Sequence, residues 1–200
     1  EDTFFSLENG HDHANGGFSD LGLYVVSLGA RAYLGPGMSN PTQSEPMPVV
    51  FAVGTYAIWQ ATHFELSELL DPEVSGDHAD PDNDGLLNMV EYALNTSPVV
   101  ADRGPMEAGV GSWGTPAVLV EGDRLAIEFV RRREDTNPQI RYRAVFSGSL
   151  EDGDGWQGSG VASVTPIDDV WERVRVLDPV TLDSAKVRFA RLEVEWADRE

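Results

Sequence analysis

The chain contains no cysteine and no long run of apolar residues. Without cysteine it forms no disulfide, thiolate metal site or cysteine nucleophile, so its fold must depend on a well-filled core or on a metal held by other ligands. Its apolar runs fall short of the roughly 18 residues that a membrane-spanning helix needs. We therefore expect no membrane span in this segment.

Basic residues are scarce as well. Lysine and arginine number 14 against 34 aspartates and glutamates, which gives a net charge of -20. Because this charge repels a phosphate backbone and attracts cations, we expect no binding to nucleic acid. Lys186 is the only lysine, and the preference for arginine fits either a saline habitat or a bias of genome composition.

The motifs of common enzymes are also missing. The chain has no Gly-x-Ser-x-Gly elbow, no His-Glu-x-x-His helix, no P-loop and no Gly-x-Gly-x-x-Gly after a strand. Acid and base carboxylates cannot be singled out among so many acidic residues, and Asp168-Asp169 fits a turn better than a catalytic pair. We expect a protein without enzymatic activity.

Apolar periodicity divides the chain into four parts: a β region at 1–54, a helical segment at 55–97, a linker at 98–115 and a C-terminal β region at 116–200. In the first part, alternation from Tyr24 to Leu34 predicts one long strand, and Val49 to Val53 predicts a strand antiparallel to it.

The second part changes to a helical period. The spacing of apolar residues between Ile58 and Leu70 predicts one or two short helices that stop at Asp71-Pro72. After an acidic loop, a further helix is predicted from about Leu87 to Leu94.

The acidic loop has the sequence "DPDNDGLLNMVE", residues 80–91. Its spacing matches a twelve-residue calcium loop, whose oxygen ligands come from positions one, three, five, seven, nine and twelve. These positions hold Asp80, Asp82, Asp84, Leu86 with its backbone carbonyl, Asn88 and Glu91. Gly85 at position six permits the sharp turn, and Leu87 at position eight is expected to point to the interior. The alternative is an acidic turn that caps a helix, but capping requires neither three aspartates nor Glu91.

The loop resembles the calcium loops of EF-hands, dockerins and related extracellular modules, and the resemblance implies Ca²⁺ as the bound ion. In an EF-hand the entering helix runs straight into the loop, whereas here residues 71–79 intervene. This favours a structural role over a sensor role. Asp71 and Asp77 are either turn residues or further ligands.

Alternating apolar residues in the last part predict strands over 125–130, 142–146, 174–176 and 187–196, with a bulge where the apolar phase shifts between Phe189 and Leu192. Turn clusters separate these runs. The predicted fold is therefore mainly β with a small α-helical calcium-loop insert, in which antiparallel β-sandwich regions flank a loop-helix calcium module.

A second motif lies near the beginning of the chain. His11 and His13 share one face of an extended backbone, where they either bind a metal or ligand or bond to the following turn. They open the pattern His-x-His-x-Asn-x-x-Phe-Ser-x-x-Gly-x-Tyr, completed by Asn15, Phe18, Ser19, Gly22 and Tyr24.

This pattern resembles the C-terminal part of the bacterial surface-anchored repeat domain, also called the choice-of-anchor domain, which ends in a strand similar to "PVVFAVG". The stretch from "WQATHFELSELL" to "EYALNTSP" resembles a calcium-loop segment near the C-termini of large exported proteins of aquatic bacteria. There a β-rich tail follows, with "RRR" after a strand and a last strand similar to "VRFARLEV". The resemblance implies a secreted or cell-surface setting in a bacterium and no enzymatic activity.

The predicted function is a non-enzymatic, calcium-stabilised surface or secreted module for adhesion, display or scaffolding, with a cell-surface glycan or another surface protein as its partner. The alternative is a carbohydrate-binding accessory domain of an exported polysaccharide-active enzyme. In that case Trp156 and Trp171 are the candidates for stacking on sugar rings, although tryptophan more often serves packing.

Overall fold

The computed structural model describes residues 17–34, 40–151, 155–158, 160–184 and 187–197. Of these residues 41% lie in strands and 18% in helices, and the paired strands run antiparallel. The prediction of a mainly β fold with antiparallel sheets is therefore confirmed. The chain forms two compact units, the first ending at Val53 and the second beginning at Gly54.

The first unit contains two two-stranded sheets, one of β1 and β4 and one of β2 and β3. Their strands are β1 (Gly22–Leu28), β2 (Arg31–Leu34), β3 (Asn40–Gln43) and β4 (Met47–Val53). The predicted pairing of the first strand with 49–53 is confirmed, since Tyr24 lies opposite Phe51. The prediction of one strand from 24 to 34 is wrong. The backbone amide and carbonyl of Ala30 bond instead to the hydroxyl and amide of Ser44, at 2.9 and 2.8 Å, so β1 and β2 enter different sheets.

The second unit begins with helices. They are α1 (Thr55–His63), α2 (Leu66–Leu69), α3 (Pro72–Ser75) and α4 (Asn88–Leu94). Asp71-Pro72 does more than end a helix, because it also begins α3. The Asp71 side chain accepts a bond from the Glu73 amide at 3.0 Å, and proline suits the first helical position, where its missing N–H costs nothing. Asn95, with φ of 59°, ends α4.

Two larger sheets follow, with strand orders β5-β6-β10-β9 and β11-β7-β8. Their strands are β5 (Ala117–Glu121), β6 (Arg124–Arg132), β7 (Ile140–Ser147), β8 (Gln157–Gly158), β9 (Val161–Pro166), β10 (Trp171–Thr181) and β11 (Phe189–Trp196). Short 3-10 turns cover Glu134–Thr136 and Leu182–Ser184.

The bulge predicted in the last strand is absent from β11, which pairs with β7 in unbroken register. Ala190, Leu192 and Val194 alternate regularly toward the hydrophobic clusters, and Phe189 belongs to the opposite face. The apolar side chain of Phe189 on that other face produces the apparent phase shift in the sequence. The register shifts of this unit lie in β10 instead.

The core of the second unit has two hydrophobic clusters. One joins both large sheets through Ile127, Phe129, Ala144, Phe146, Val174 and Val176. The other brings α1 and α4 against β7 through Trp59, Phe64, Tyr92, Ala93, Leu94 and Ile140. Helix α4, which begins inside the acidic loop, is thus part of the core. None of the helices in the described ranges has the length and hydropathy that crossing a membrane requires.

Candidate metal centre

The acidic loop, residues 80–91, follows α3 and includes the first turn of α4, and Asn88 bonds it to the chain that precedes it. The backbone amide of Asn88 donates to the carbonyl of Ala79 at 2.9 Å. Its side-chain amide donates to the carbonyls of Val74 and Gly76 at 2.9 and 2.7 Å. These bonds hold the chain that enters the loop against the first turn of α4.

Three aspartates shape the turn of the loop with one oxygen each. The backbone amide of Gly85 donates to Asp80 at 3.0 Å, that of Asp84 to Asp82 at 3.1 Å, and that of Leu86 to Asp84 at 2.8 Å. Gly85 has φ of 91°, a left-handed conformation that glycine adopts without a steric cost. One oxygen of each carboxylate is thus fixed by the backbone, and the other is available to a ligand.

The remaining oxygens of the loop are buried and have no hydrogen-bond partner. In the part of the chain that the structure describes, nine buried side-chain polar atoms lack a partner, and six of them belong to this loop. They are Asp80 Oδ1, Asp82 Oδ2, Asp84 Oδ2, Asn88 Oδ1, Glu91 Oε1 and Glu91 Oε2. A buried polar atom left unpaired costs about 1–3 kcal/mol, and more when it is charged. The oxygens therefore fit a group that accepts many oxygen ligands at once.

The carboxylates of the loop, together with that of Asp102, form two groups that share Asp84. Carboxylate oxygens of Asp80, Asp82 and Asp84 lie within 4.8 Å of one another, and so do those of Asp84, Glu91 and Asp102. Two oxygens on opposite sides of one calcium ion are about 4.6–5.2 Å apart, because each calcium–oxygen distance is about 2.3–2.6 Å. The spacing of the carboxylates is compatible with a single ion.

The electrostatics of the loop match its geometry. Burial raises the pKa of Glu91 to about 8, and the negative charges of Asp82, Asp84, Asp102 and Asp80 add to this increase. The pKa of Asp82 is also raised, first by burial and then by its acidic neighbours. In the absence of a cation, the fold therefore disfavours the full negative charge of the loop.

No arginine or lysine of the described ranges forms an ion pair with the loop carboxylates. Arg103 does reach the loop, but its guanidinium donates to the backbone carbonyl of Asp84, at 3.3 Å, and not to a carboxylate. Within the described part of the chain, the loop carboxylates thus come together without an ion pair to a cationic side chain.

Two details differ from what the sequence predicts. Asp102 lies outside the twelve-residue template, so the sequence pattern did not identify it. The side chain of Leu86 is buried and that of Leu87 is 38% exposed, the reverse of the expected orientation. Leu86 lines the same apolar cavity as Val90 and Leu94, which follow it at intervals of four on one helical face.

Helix α4 connects the loop to the C-terminal sheets. The Tyr92 hydroxyl donates to the carbonyl of Pro138 at 2.9 Å, and the Tyr142 hydroxyl donates to the carbonyl of Ala93 at 2.9 Å. Arg132 donates to the carbonyl of Tyr92 at 2.9 Å and places its guanidinium 3.9 Å from the centre of that ring. Because Glu91 directly precedes Tyr92, a group bound by Glu91 acts on a helix that is fixed to the sheets.

The other predicted site residues lie apart from this loop. His11 and His13 are outside the described residues, so their role stays a prediction. Trp171 is 7% exposed, and the guanidinium of Arg132 lies 4.3 Å from its ring centre. Trp156 is half-buried, and the guanidinium of Arg191 lies 4.2 Å from the centre of its ring. Both rings pack against arginine, and Trp171 has little free surface on which a sugar could stack.

No family model, curated protein or solved structure matches the chain. The resemblance to surface-anchored repeat domains and to dockerin-like loops stays a prediction. The functional argument depends on the geometry of the acidic loop.

Proposed function

We propose that the chain is a calcium-stabilised, non-enzymatic module, in which the ion fixes the acidic loop and helix α4 against the C-terminal sheets. The observation that carries this proposal is the set of six buried, unpartnered oxygens on five side chains of the predicted ligand pattern. Two of them belong to Glu91, which is 0% exposed. An oxygen-binding cation turns these costly groups into ligands.

The kind and number of ligands favour calcium over other ions. The site offers carboxylate, amide and carbonyl oxygens and no nitrogen or sulfur, which suits hard cations. The six side-chain oxygens and the carbonyl of Leu86 give a total in the range of six to eight that calcium accepts. Magnesium requires octahedral geometry at shorter distances and retains several waters, so this site suits it less well.

The fixed position of α4 supports a structural role rather than a sensor role. In a sensor the helix that leaves the loop moves when the ion binds. Here Tyr92, Ala93 and Leu94 are each 3% exposed or less and lie in a cluster with Ile140 of β7. Moving the helix would break that cluster, so we propose that the ion stabilises a single arrangement.

We propose an extracellular or cell-surface location and a role in adhesion, display or scaffolding, with a surface glycan or another surface protein as the partner. Calcium is plentiful outside cells, where it fills even sites with dissociation constants as high as about 10⁻⁴–10⁻³ M. The net charge of -20 repels nucleic acid. The hydrophobic cluster that both large sheets share supports the predicted antiparallel sandwich, which α4 would join to the loop.

The test is a calorimetric titration of calcium into chelator-treated protein. We expect about one bound ion per chain, with weaker binding of magnesium. Asp84→Asn should weaken calcium binding by about tenfold or more, since even the loss of a residue that merely supports a metal ligand costs about 10–100-fold.

The matched control is Asp169→Asn. Asp169 is exposed in the bend between β9 and β10, and its charge acts on Arg133 rather than on the loop carboxylates. A binding constant within about twofold of the unmodified chain is expected, because a distant exposed charge acts only through screened, long-range attraction. Absence of saturable calcium binding by the unmodified chain would refute the proposal.

A further inference from the structure

Asp102 lies in the segment that follows α4, outside the twelve-residue loop. One of its carboxylate oxygens is within 4.8 Å of ligand oxygens of Asp84 and Glu91. Asp102 is half-buried, and its side chain accepts one long hydrogen bond, from the amide of Ser97 at 3.4 Å. This weak bond leaves most of its accepting capacity unused beside two other carboxylates.

Glu91 provides the independent observation that this group of carboxylates is a binding site. It is 0% exposed, and neither of its carboxylate oxygens has a hydrogen-bond partner. A surface cluster of acids leaves its oxygens in water, but here both oxygens of Glu91 and one oxygen of Asp84 are buried. The chain therefore brings Asp102 to a carboxylate that already requires a partner.

The segment from 96 to 103 returns to the loop at more than one point. The amide of Thr96 donates to the carbonyl of Glu91 at 3.2 Å, and the guanidinium of Arg103 donates to the carbonyl of Asp84 at 3.3 Å. These bonds to the main chain hold the segment in place. They bring Asp102 to the loop although its own side chain forms no short bond.

We propose that Asp102 is a further ligand of the same calcium ion, supplied from outside the loop. The inference rests on the proposed calcium site and extends it. The ion then joins three parts of the chain: the acidic loop, helix α4 through Glu91, and the 96–103 segment. Five carboxylates, those of Asp80, Asp82, Asp84, Glu91 and Asp102, then face its two positive charges.

One ion explains the two groups of carboxylates better than two ions. Asp84 belongs to both groups, but its Oδ1 already accepts the amide of Leu86 at 2.8 Å. Only its Oδ2 is buried and unpartnered. Sharing of Asp84 suits one ion with ligands on both sides, whereas two divalent ions held this close together would repel each other.

The experiment titrates calcium into four proteins: the full unmodified chain, Asp102→Asn, Glu91→Gln and the control Asp169→Asn. The melting temperature of each is also measured without calcium. We expect Asp102→Asn to weaken calcium binding by about tenfold or more with about one ion per chain retained. Glu91→Gln should weaken it further, and Asp169→Asn should leave it unchanged. Without calcium, Asp102→Asn should melt at or above the temperature of the unmodified chain, because one repelling charge is removed.

The outcomes separate the two proposals. If the unmodified chain binds calcium, Glu91→Gln abolishes binding and Asp102→Asn binds like the control, then the loop site stands and Asp102 is not a ligand. An Asp102→Asn chain that does not fold, or that melts lower without calcium, would show a purely structural residue and overturn the inference. A second ion, lost selectively in Asp102→Asn, would also overturn it. If the unmodified chain binds no calcium, the proposed function fails first.

Discussion

Two regions of the second unit bury carboxylates, and they do so with different partners. In the C-terminal sheets, each buried carboxylate meets arginine. Glu128, 2% exposed, forms ion pairs with Arg175 and, at 3.4 Å, with Arg173. Asp178, 0% exposed, receives two bonds from Arg188 at 2.6 and 2.7 Å. These groups follow the usual rule that a buried charge is paired.

Glu91 is buried as completely as Asp178, but its charged neighbours are other carboxylates. Among the described residues, buried acids are thus paired with arginine in one region and gathered without an ion pair in the other. The proposed calcium ion would give the loop carboxylates the positive partner that arginine provides in the sheets. The predictions below test this contrast.

The largest expected effect is that of removing calcium. If the dissociation constant is about 10–100 µM and calcium is about 10 mM, the ion adds roughly 2.7–4.1 kcal/mol to the free energy of unfolding. For a domain of this size, this corresponds to a decrease in melting temperature of roughly 6–16 °C when a chelator is added.

Tryptophan fluorescence measures this decrease in the second unit alone, since all five tryptophans lie beyond residue 54. Sodium chloride of matched ionic strength is the control, because any salt screens the repulsion within a strongly acidic chain. Equal melting temperatures with calcium and with sodium chloride would contradict the proposal that the loop binds calcium.

The second prediction compares Glu91→Gln with Glu128→Gln. Glu128→Gln leaves Arg173 and Arg175 without their buried partner, which should lower the free energy of unfolding by about 3 kcal/mol, with or without calcium. Glu91→Gln should remove most of the gain from calcium and, in chelator, leave the protein as stable as the unmodified chain or more stable.

Thermal melting of both variants in calcium and in chelator gives the four values needed. The contrast between the regions would break down if Glu91→Gln lowered stability equally in both conditions. In that case Glu91 would be an ordinary structural residue with an unrecognised internal partner.

The loop illustrates how much of the site the sequence could reveal. The spacing of Asp80, Asp82 and Asp84 around Gly85 is local, and the structure brings these carboxylates together as a local pattern can predict. Asp102 reaches the same place only because the chain after α4 turns back. No local spacing encodes that return, so the sequence pattern could not identify it.

The strands show a similar limit. Alternation located most of them, but the register and order of strands depend on contacts between distant parts of the chain. The break at Ala30, fixed by its bonds with Ser44, left the apolar alternation intact and therefore gave no signal. In β11 the side chain of Phe189, on the face opposite Leu192, made a regular strand look bulged.

The third prediction concerns pH in the chelated protein. The pKa of Glu91 is raised from its ordinary value of 4.5 to about 8 by burial and by Asp82, Asp84, Asp102 and Asp80. A raised pKa in the folded state stabilises the protein at low pH, and this contribution is lost as pH rises from about 4.5 through 8. Between these values each pH unit lowers the free energy of unfolding by up to about 1.4 kcal/mol.

The measurement is the melting temperature of chelated protein at pH 6 and pH 7.5. The control is Glu91→Gln, which leaves every other ionisable side chain in place. We expect the decrease with pH to be smaller in the variant. Parallel pH profiles for the two proteins would contradict the burial of an unpaired Glu91.

The smallest expected effect tests whether the sheets hold the loop in place without the ion. The indole N–H of Trp196, in β11, donates to Asp77 at 2.9 Å, and the carbonyl of Asp77 accepts the amide of Met89 in α4. Trp196→Phe keeps an aromatic ring beside Tyr56 but removes this bond, at a cost of about 1–2 kcal/mol. The loss should be larger in chelator than in calcium, because a bound ion holds the same segment independently.

Trp113→Phe, at a ring that is 49% exposed, is the matched control and should change neither value. An equal loss for Trp196→Phe in both conditions would mean that the ion and the last strand stabilise separate parts of the unit, and the calcium site would then not act on the joint between α4 and the sheets.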